Sequence, residues 1–275
     1  MNKKLESFTR ELNNGMKMPG MGLGTWKSTG KKAYNAVTWA LDAGYRLIDT
    51  AAFYRNEKQV GKAIRDSDIE REDIFVTTKL WNSDQGREKA RKAFEKSFTK
   101  LDIGYIDLYL VHWPIPGKRH ESWETLMNLL ETDNLKAIGV SNYTIDHLKE
   151  LLDKSDIKPV VNQVEFHPFL YQEELLEFCK SENIQLEAYS PLARANRFDN
   201  SVLKEVADNQ EKTVPQVMIR WSIQKGIIPI PKSVHEKYIR ENRNVFDFSL
   251  SEDQMDKIDN IGDQKRFLTD PHQYE

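Results

Sequence analysis

The chain has 275 residues, the length of one large α/β barrel or of two small domains. Its 40 basic and 43 acidic side chains leave a net charge of −3, which gives no electrostatic reason to expect a nucleic acid or an anionic membrane as partner. Cys179 is the only cysteine, so no internal disulfide can form, and the start of the sequence lacks the apolar segment of a signal peptide. We therefore expect a cytoplasmic protein without a membrane span.

Short β-rich segments alternate with segments of helical periodicity along most of the chain. The Asn14-Gly15 pair predicts a hairpin turn near the start. Eight segments rich in β-forming residues then predict strands over 21–26, 47–51, 74–80, 106–112, 135–142, 160–166, 184–190 and 226–233. Between them, apolar residues repeat with helical spacing, for example over 33–41, 90–101 and 145–152. Ser251 and Gln254 have capping-box spacing and predict a late helix, which an irregular tail follows.

This alternation is typical of parallel βα units. It predicts a single domain, 1–275, with an α/β fold: a (β/α)8 TIM barrel with an N-terminal β-hairpin plug and an extra C-terminal helix and tail. The second choice is an open doubly wound sheet, which usually holds a dinucleotide on a Gly-x-Gly-x-x-Gly turn. Gly20, Gly22 and Gly24 form Gly-x-Gly-x-Gly instead, which favours the barrel.

Polar side chains stand where the predicted strands end, at the face on which such barrels carry their active sites. In chain order these strand-end residues are Asp49, Lys79, His112, Ser141, Asn142, Gln163, Tyr189, Lys232 and Ser233. Each alone is consistent with a solvated charge, an ion pair or a structural histidine. Their occurrence on consecutive strands predicts one shared site.

The residue types at this site indicate proton transfer. Tyrosine has an ordinary pKa near 10, which makes it a poor acid at neutral pH, and a neighbouring lysine lowers that pKa. We expect Asp49 to keep Lys79 charged and Lys79 to lower the pKa of Tyr54. Tyr54 would then protonate an oxygen that is becoming an alkoxide, while His112 orients the same oxygen. Reduction of a carbonyl by hydride transfer produces such an alkoxide.

These residues lie within longer segments that resemble the signature segments of the aldo-keto reductases: GLGTWK, YRLIDTAAFYRNE, VTTKLWNSDQG, DLYLVHWP, IGVSNY, VNQVEFHP, AYSPL and IPKS. The resemblance runs from Leu12 to Gly262 and is nearest the short bacterial and protozoan branch, which includes 2,5-diketo-gluconate reductases, glyoxal reductases and prostaglandin F synthases. It implies a monomeric, NADPH-dependent reductase of aldehydes, α-dicarbonyls or keto-sugars. The implied catalytic tetrad is Asp49, Tyr54, Lys79 and His112.

The resemblance also implies the cofactor and substrate contacts. For the nicotinamide and its ribose they are Thr25, Ser141, Asn142, Gln163 and the stacking Tyr189. For the pyrophosphate they are Ser190, Pro191, Leu192 and Ala193, and for the adenosine 2′-phosphate they are Lys232, Ser233 and Val234. For the adenine they are Glu241 and Asn242, and the implied aromatic wall of the substrate pocket is Trp26, Phe53, Trp81 and Trp113.

One position departs from the family pattern. Family members usually carry an arginine six residues after the lysine of IPKS, and this chain has Tyr238 there. Loss of the guanidinium weakens the grip on a 2′-phosphate, and Tyr238 could instead stack on the adenine. We therefore expect NADPH as the cofactor with weak discrimination against NADH, which would also be accepted.

Three other functions fit parts of the pattern. A class I aldolase would form a Schiff base on Lys79, which borohydride trapping detects. A metal hydrolase could use Asp49, His112, Glu165 and His167, although no His-x-His or His-Glu-x-x-His spacing occurs and we predict no metal. A nucleotide-binding sensor could keep the barrel without catalysis, but such a protein needs no tuned tyrosine, and measured turnover distinguishes it.

Overall fold

The computed structural model describes residues 8–274, so part of the N-terminal segment considered above and Glu275 fall outside the described range. The first element is the predicted hairpin, in which β1 (Thr9–Glu11) pairs antiparallel with β2 (Lys17–Pro19). Gly15 lies in its turn with φ +82°, a conformation that glycine adopts without steric cost. The Asn14 side chain accepts a hydrogen bond from the Met16 amide (3.2 Å), which confirms the turn.

Within the described residues, eight parallel strands form the barrel, and each lies inside a predicted segment. They are β3 (Leu23–Gly24), β4 (Leu47–Asp49), β5 (Phe75–Leu80), β6 (Ile106–Val111), β7 (Leu135–Ser141), β8 (Val161–Glu165), β9 (Gln185–Tyr189) and β10 (Ile228–Pro229). Neighbours in sequence pair with each other from β3 to β10. Gly22 N–H donates to the Pro229 carbonyl (3.0 Å) and Gly24 N–H to that of Pro231 (3.1 Å). These bonds join the last strand to the first and confirm the barrel.

The described part of the chain contains ten α-helices. They are α1 (Gly30–Asp42), α2 (Glu57–Arg65), α3 (Arg87–Leu101), α4 (Arg119–Leu130), α5 (Ile145–Lys154), α6 (Glu173–Ser181), α7 (Ser201–Asn209), α8 (Val214–Gln224), α9 (Glu236–Arg243) and α10 (Glu252–Asp259). Helix α7 is a second helix between β9 and β10, which the sequence analysis did not predict. Helix α10 confirms the predicted C-terminal helix, and the hydroxyl of Ser251 accepts from the Gln254 amide as expected of a capping box.

Two apolar clusters hold these layers together. The larger lies between the barrel and its surrounding helices, where Val37, Phe94 and Trp221 are almost fully buried. The smaller fills the barrel interior and includes Leu12 and Met18 of the hairpin. The hairpin therefore closes the barrel end opposite the strand C-termini, as predicted. No helix among residues 8–274 is long and apolar enough to cross a membrane.

Candidate active site

The four predicted catalytic residues meet at the C-terminal end of the barrel. Asp49 is the last residue of β4, Lys79 lies in β5, and His112 directly follows β6. Tyr54 ends a single 3₁₀ turn over Ala52–Tyr54, so the small-residue segment after β4 folds the chain back over the barrel. Parallel strands end at the same face of a barrel, which is why residues so far apart in sequence become neighbours.

Lys79 is the centre of this arrangement. Its side chain is fully buried, and its ammonium donates to Asp49 Oδ2 at 2.6 Å and to the Thr50 carbonyl at 2.9 Å. It also donates to the Tyr54 hydroxyl at 3.3 Å and lies 4.9 Å from the centre of the tyrosine ring. The structure therefore brings together the Asp49–Lys79–Tyr54 chain that the sequence analysis predicted.

A second carboxyl group, which the sequence analysis did not single out, lies beneath this chain. Glu187 of β9 is fully buried, and Gln163 Nε2 donates both to Glu187 Oε2 (2.6 Å) and to Asp49 Oδ2 (2.8 Å). Burial, and then the charge of Asp49, raise the pKa of Glu187 to about 8. Burial also raises the pKa of Asp49, but Lys79 and Gln163 oppose that change there. The 2.6 Å ion pair with Lys79 places the negative charge on Asp49, whereas Glu187, with its pKa of about 8, keeps its proton at pH 7.

The acidity of Tyr54 differs from the expectation. Burial, followed by the carboxylates of Asp49 and Glu187, raises the pKa of Tyr54 well above its usual value. The predicted lowering of the Tyr54 pKa by Lys79 is wrong, because Asp49 neutralises Lys79 at 2.6 Å and leaves no excess positive charge. Tyr54 is therefore protonated at neutral pH, and Lys79 lies where it would stabilise a phenolate as one forms.

His112 lines the same cleft as a neutral imidazole. Burial, and then the charge of Lys79, lower the pKa of His112 well below its usual value, so the imidazole is uncharged at neutral pH. Its ring stands edge-on to Tyr54 at 5.9 Å and to Trp81 at 5.2 Å. Nδ1 of His112 has no hydrogen-bond partner among the described residues. A neutral histidine placed in this way can donate one N–H to an oxygen bound beside Tyr54.

These groups face a continuous cleft of about 910 Å³, which runs from Tyr54 and His112 to Tyr238 and Asn242. The four aromatic residues predicted for the substrate pocket, Trp26, Phe53, Trp81 and Trp113, all line it. Phe53 stacks on Trp81 with 3.7 Å between ring centres, although Phe53 is 44% exposed. The entrance is therefore apolar and the floor polar.

The predicted nicotinamide contacts already form a network with one another. Tyr189 O–H donates to Asn142 Oδ1 (2.7 Å), and Asn142 Nδ2 donates to the His112 carbonyl and to Ser141 Oγ. Ser141 Oγ donates to the Gln163 carbonyl and is itself buried away from the cleft. The amide group of Gln163 uses its N–H donors on two carboxyls, which leaves Gln163 Oε1 as an acceptor for a carboxamide N–H.

The other end of the cleft is positively charged. Lys232, Ser233, Tyr238, Glu241 and Asn242 line it, as do Lys27, Ser190, Pro191 and Leu192. Burial, and then the charges of Lys32 and Lys27, lower the pKa of Lys232, so three lysines surround this point. Tyr238 is 51% exposed at the rim, while Arg240 pairs with Glu236 on its own helix (2.7 Å).

Four of the predicted cofactor contacts do not line the cleft: Ser141, described above, and Thr25, Ala193 and Val234. Ala193 is buried, and Val234 lies outside the lining. Thr25 is also buried, and its hydroxyl donates to the Asp49 carbonyl (2.9 Å), so it supports β4 beside the catalytic carboxylate. The remaining lining still fits a dinucleotide: an acceptor for the carboxamide lies at one end, cations for phosphate lie at the other, and one cleft connects them.

The C-terminal tail forms one wall of the cleft, and the sequence analysis did not predict this. Backbone N–H groups of Phe267 and Leu268 donate to the carboxylate of Glu165 at 2.8 and 3.2 Å. Leu268 and Tyr274 line the cleft, and the Tyr274 ring centre lies 5.4 Å from that of Trp113. A buried carboxylate at the end of β8 thus holds the tail over the site.

This geometry argues against two of the alternative functions, the class I aldolase and the metal hydrolase. The ammonium of Lys79 contacts three protein groups and its side chain is fully buried, so it has no face open to a carbonyl for Schiff-base formation. Glu165 and His167 bind each other (3.2 Å), and Glu165 also holds the tail. Over residues 8–274, no three His, Cys, Asp or Glu side chains form a group that could hold a metal ion.

Several known proteins resemble this chain over most of its length. The model of the aldo/keto reductase family matches residues 20–263. The glyoxal reductase of Bacillus subtilis (strain 168) is 48% identical over 264 residues, which cover 96% of each chain. An aldo-keto reductase from a Medee basin deep-sea metagenome library superposes with a TM-score of 0.92 at 46% identity, covering 94% of this chain and 97% of its own.

A structure of a Bombyx mori aldo-keto reductase in complex with NADP superposes with a TM-score of 0.89 at 36% identity and covers 95% of this chain and 94% of its own. The family model matches most of the sequence, and the Bacillus subtilis glyoxal reductase is 48% identical over nearly the whole length of both chains. These two findings assign the chain to a family. The chain belongs to the aldo/keto reductase family and is an NAD(P)H-dependent oxidoreductase that reduces carbonyl groups.

Proposed function

We propose that the protein is an NADPH-dependent reductase of small α-dicarbonyl compounds such as glyoxal, with Tyr54 as the general acid. The observation that carries the proposal is the buried Asp49–Lys79–Tyr54 chain, which ends at a tyrosine hydroxyl in the cleft. The substrate class is supported by the similarity to a glyoxal reductase and by the aromatic entrance above that hydroxyl. Simple aldehydes and keto-sugars are the next classes to test.

The residues of this chain would supply the proton and the orientation. The nicotinamide, when bound, supplies the hydride that the reduction needs. Tyr54 gives its proton to the carbonyl oxygen as negative charge develops there, and Lys79, at 3.3 Å, stabilises the phenolate that remains. Asp49 keeps Lys79 charged, and neutral His112 donates to the same oxygen and fixes its position.

The preference for NADPH rests on the positive end of the cleft. Lys232, with Lys27 and Lys32 close enough to lower its pKa, gives a 2′-phosphate a cationic environment. Tyr238 offers an aromatic face in place of a guanidinium, and such a face serves NADH and NADPH equally. We therefore propose preference for NADPH with weak discrimination against NADH.

The test is the reduction of glyoxal, methylglyoxal, simple aldehydes and keto-sugars by wild type and by Tyr54→Phe, with both reduced cofactors. Loss of a general acid typically lowers the rate by about 10²–10⁴-fold, while NADPH binding is expected to stay within threefold (~0.7 kcal/mol). A phenylalanine variant that reduces glyoxal at nearly the wild-type rate refutes the role of Tyr54. Binding of NADPH by a wild type that turns over no carbonyl would favour the sensor function instead.

We further propose a cytoplasmic monomer with a small carbonyl compound, and neither nucleic acid nor membrane, as its partner. The one cysteine, Cys179, is buried and unpaired, which suits a reducing compartment. Sedimentation equilibrium of the purified protein tests the monomer, and a stable dimer at micromolar concentration contradicts it.

A further inference from the structure

Glu187 is a buried acid for which the proposed reaction has no use. It occupies the middle of β9, directly opposite Gln163 in the strand register, and both are almost fully buried. An acidic residue inside an apolar strand is costly unless it is neutral or bonded. Its position in the barrel interior, joined to Asp49 through the Gln163 amide, therefore calls for an explanation.

The contacts of Gln163 give the first part of that explanation. Both of its amide hydrogen bonds run to carboxyl oxygens, Asp49 Oδ2 at 2.8 Å and Glu187 Oε2 at 2.6 Å. Ionised Asp49 can only accept, and the protonated Glu187 carboxyl accepts on Oε2 when its proton is on Oε1, which bonds no group among the described residues. These two acceptors fix which end of the Gln163 amide points inward. Gln163 lines the cleft, and with Nε2 held on the two carboxyls its Oε1 is the atom that remains to accept from a nicotinamide carboxamide. Asp49 alone would hold the amide by one bond and leave it free to rotate.

The charges give the second part. Three titratable groups surround the Glu187 carboxyl: Asp49 from β4, Lys79 from β5 and Tyr54 from the turn after β4. The β8 neighbour Gln163 is neutral, and the register partner on β10, Ile228, is apolar. Lys79 balances one carboxylate, so the buried group is neutral only when Glu187 keeps its proton. Ionisation of Glu187 would place an uncompensated negative charge near Tyr54.

We propose that Glu187 is a positioning residue with two effects: it locks the Gln163 amide toward the cofactor, and its proton keeps the barrel interior neutral so that Tyr54 can release its own proton. The second effect rests on the proposed role of Tyr54, whereas the first does not. As Glu187 ionises, the added negative charge makes Tyr54 a weaker acid, and reduction slows. Glu187 is not among the residues that line the cleft, and it acts through Gln163 and Tyr54.

The locking effect is tested by NADPH dissociation constants, which need no turnover. Glu187→Gln keeps an acceptor for Gln163 and is expected to bind NADPH within threefold of wild type (~0.7 kcal/mol). Glu187→Met removes the acceptor and is expected to weaken binding about five- to tenfold, the value of one such hydrogen bond. In a Gln163→Leu background the methionine should have no further effect. Equal weakening by Glu187→Met in both backgrounds overturns the lock.

The proton on Glu187 is tested by measuring the unfolding free energy of the protein without ligands. An ordinary glutamate titrates near 4.3, and the pKa of Glu187 is about 8 in the folded protein. Between these pH values the folded state holds the extra proton, so wild type loses stability as pH rises from about 4.3 to 8. Glu187→Gln lacks this loss, and its unfolding free energy relative to wild type should increase from pH 5 to pH 9. Parallel curves for the two proteins overturn the proton assignment.

The effect on Tyr54 is tested by the pH profile of kcat/KM for glyoxal. The ratio of Glu187→Gln to wild type should rise at least about threefold between pH 6.5 and pH 9, because only wild type gains the negative charge. Glu57→Gln is the control, since Glu57 is buried but bonds Thr78 rather than a site residue, and its profile should follow wild type. Superimposable profiles for Glu187→Gln and wild type overturn this effect. If wild type reduces no carbonyl, the proposed function fails, while the binding and stability results still decide the role of Glu187.

Discussion

Replacement of Asp49 by asparagine removes the negative charge at the centre of the site while it keeps the shape of the side chain. Lys79 and Gln163 donate to the same oxygen of Asp49, at 2.6 and 2.8 Å, so an asparagine amide oxygen can accept both bonds. Only the negative charge opposite a fully buried ammonium is lost. Removal of one partner of a buried ion pair typically costs about 3–5 kcal/mol of stability.

We expect a smaller loss for Asp49→Asn, about 2–3 kcal/mol of unfolding free energy at pH 7, because Glu187 can ionise and take over as the counter-ion of Lys79. In a Glu187→Gln background that compensation is absent, and the same substitution should cost the full ~3–5 kcal/mol, which is about 1–2 kcal/mol more. The activity of Asp49→Asn should fall less than that of Tyr54→Phe, because Tyr54 keeps its proton and Lys79 keeps its place.

Urea unfolding followed by tryptophan fluorescence measures these losses, and unchanged slopes against urea show that the states compared are the same. The chain has six tryptophans, and buried Trp123 and Trp221 report on the core. A cost below about 1 kcal/mol in both backgrounds would refute the reasoning, since it would mean that Lys79 does not depend on a carboxylate. Strictly additive costs would refute the exchange of charge between Asp49 and Glu187.

Two further substitutions test the ends of the cleft. Tyr238→Arg should lower the NADPH dissociation constant about tenfold, which is the lower end of the value of a charge-assisted hydrogen bond, because Tyr238 is an exposed site. Binding of NADH should stay unchanged or become weaker. Equal effects on the two dissociation constants contradict this prediction. Glu165→Gln should weaken the bonds to the Phe267 and Leu268 amides, so that trypsin cleaves after Arg266 about tenfold faster and the KM for glyoxal rises more than the NADPH dissociation constant. Unchanged cleavage would show that the tail is held elsewhere.

Local sequence patterns predict much of the architecture. Strand and helix periodicity, the Asn14-Gly15 turn and the Ser251 capping box depend on neighbours a few residues away, and each has its element in the structure. The order of polar strand ends was also readable, because parallel strands must bring their C-termini to one face. The second helix before β10, over Ser201–Asn209, escaped prediction although its pattern is also local.

The charge state of the site cannot be predicted from local patterns in this way. It depends on distances between strands, and only closure of the barrel sets those distances. The sequence analysis did not single out Glu187, because its raised pKa arises from its burial and from the nearby carboxylate of Asp49. Burial, and then the same carboxylate, raise the pKa of Tyr54, where the sequence analysis predicted a lowering by Lys79, whose charge Asp49 neutralises. The tail over the cleft is likewise decided by Glu165, about a hundred residues earlier in the chain. Sequence fixes which groups are present and in what order, but electrostatic energies follow separations of a few ångströms that exist only in the folded protein.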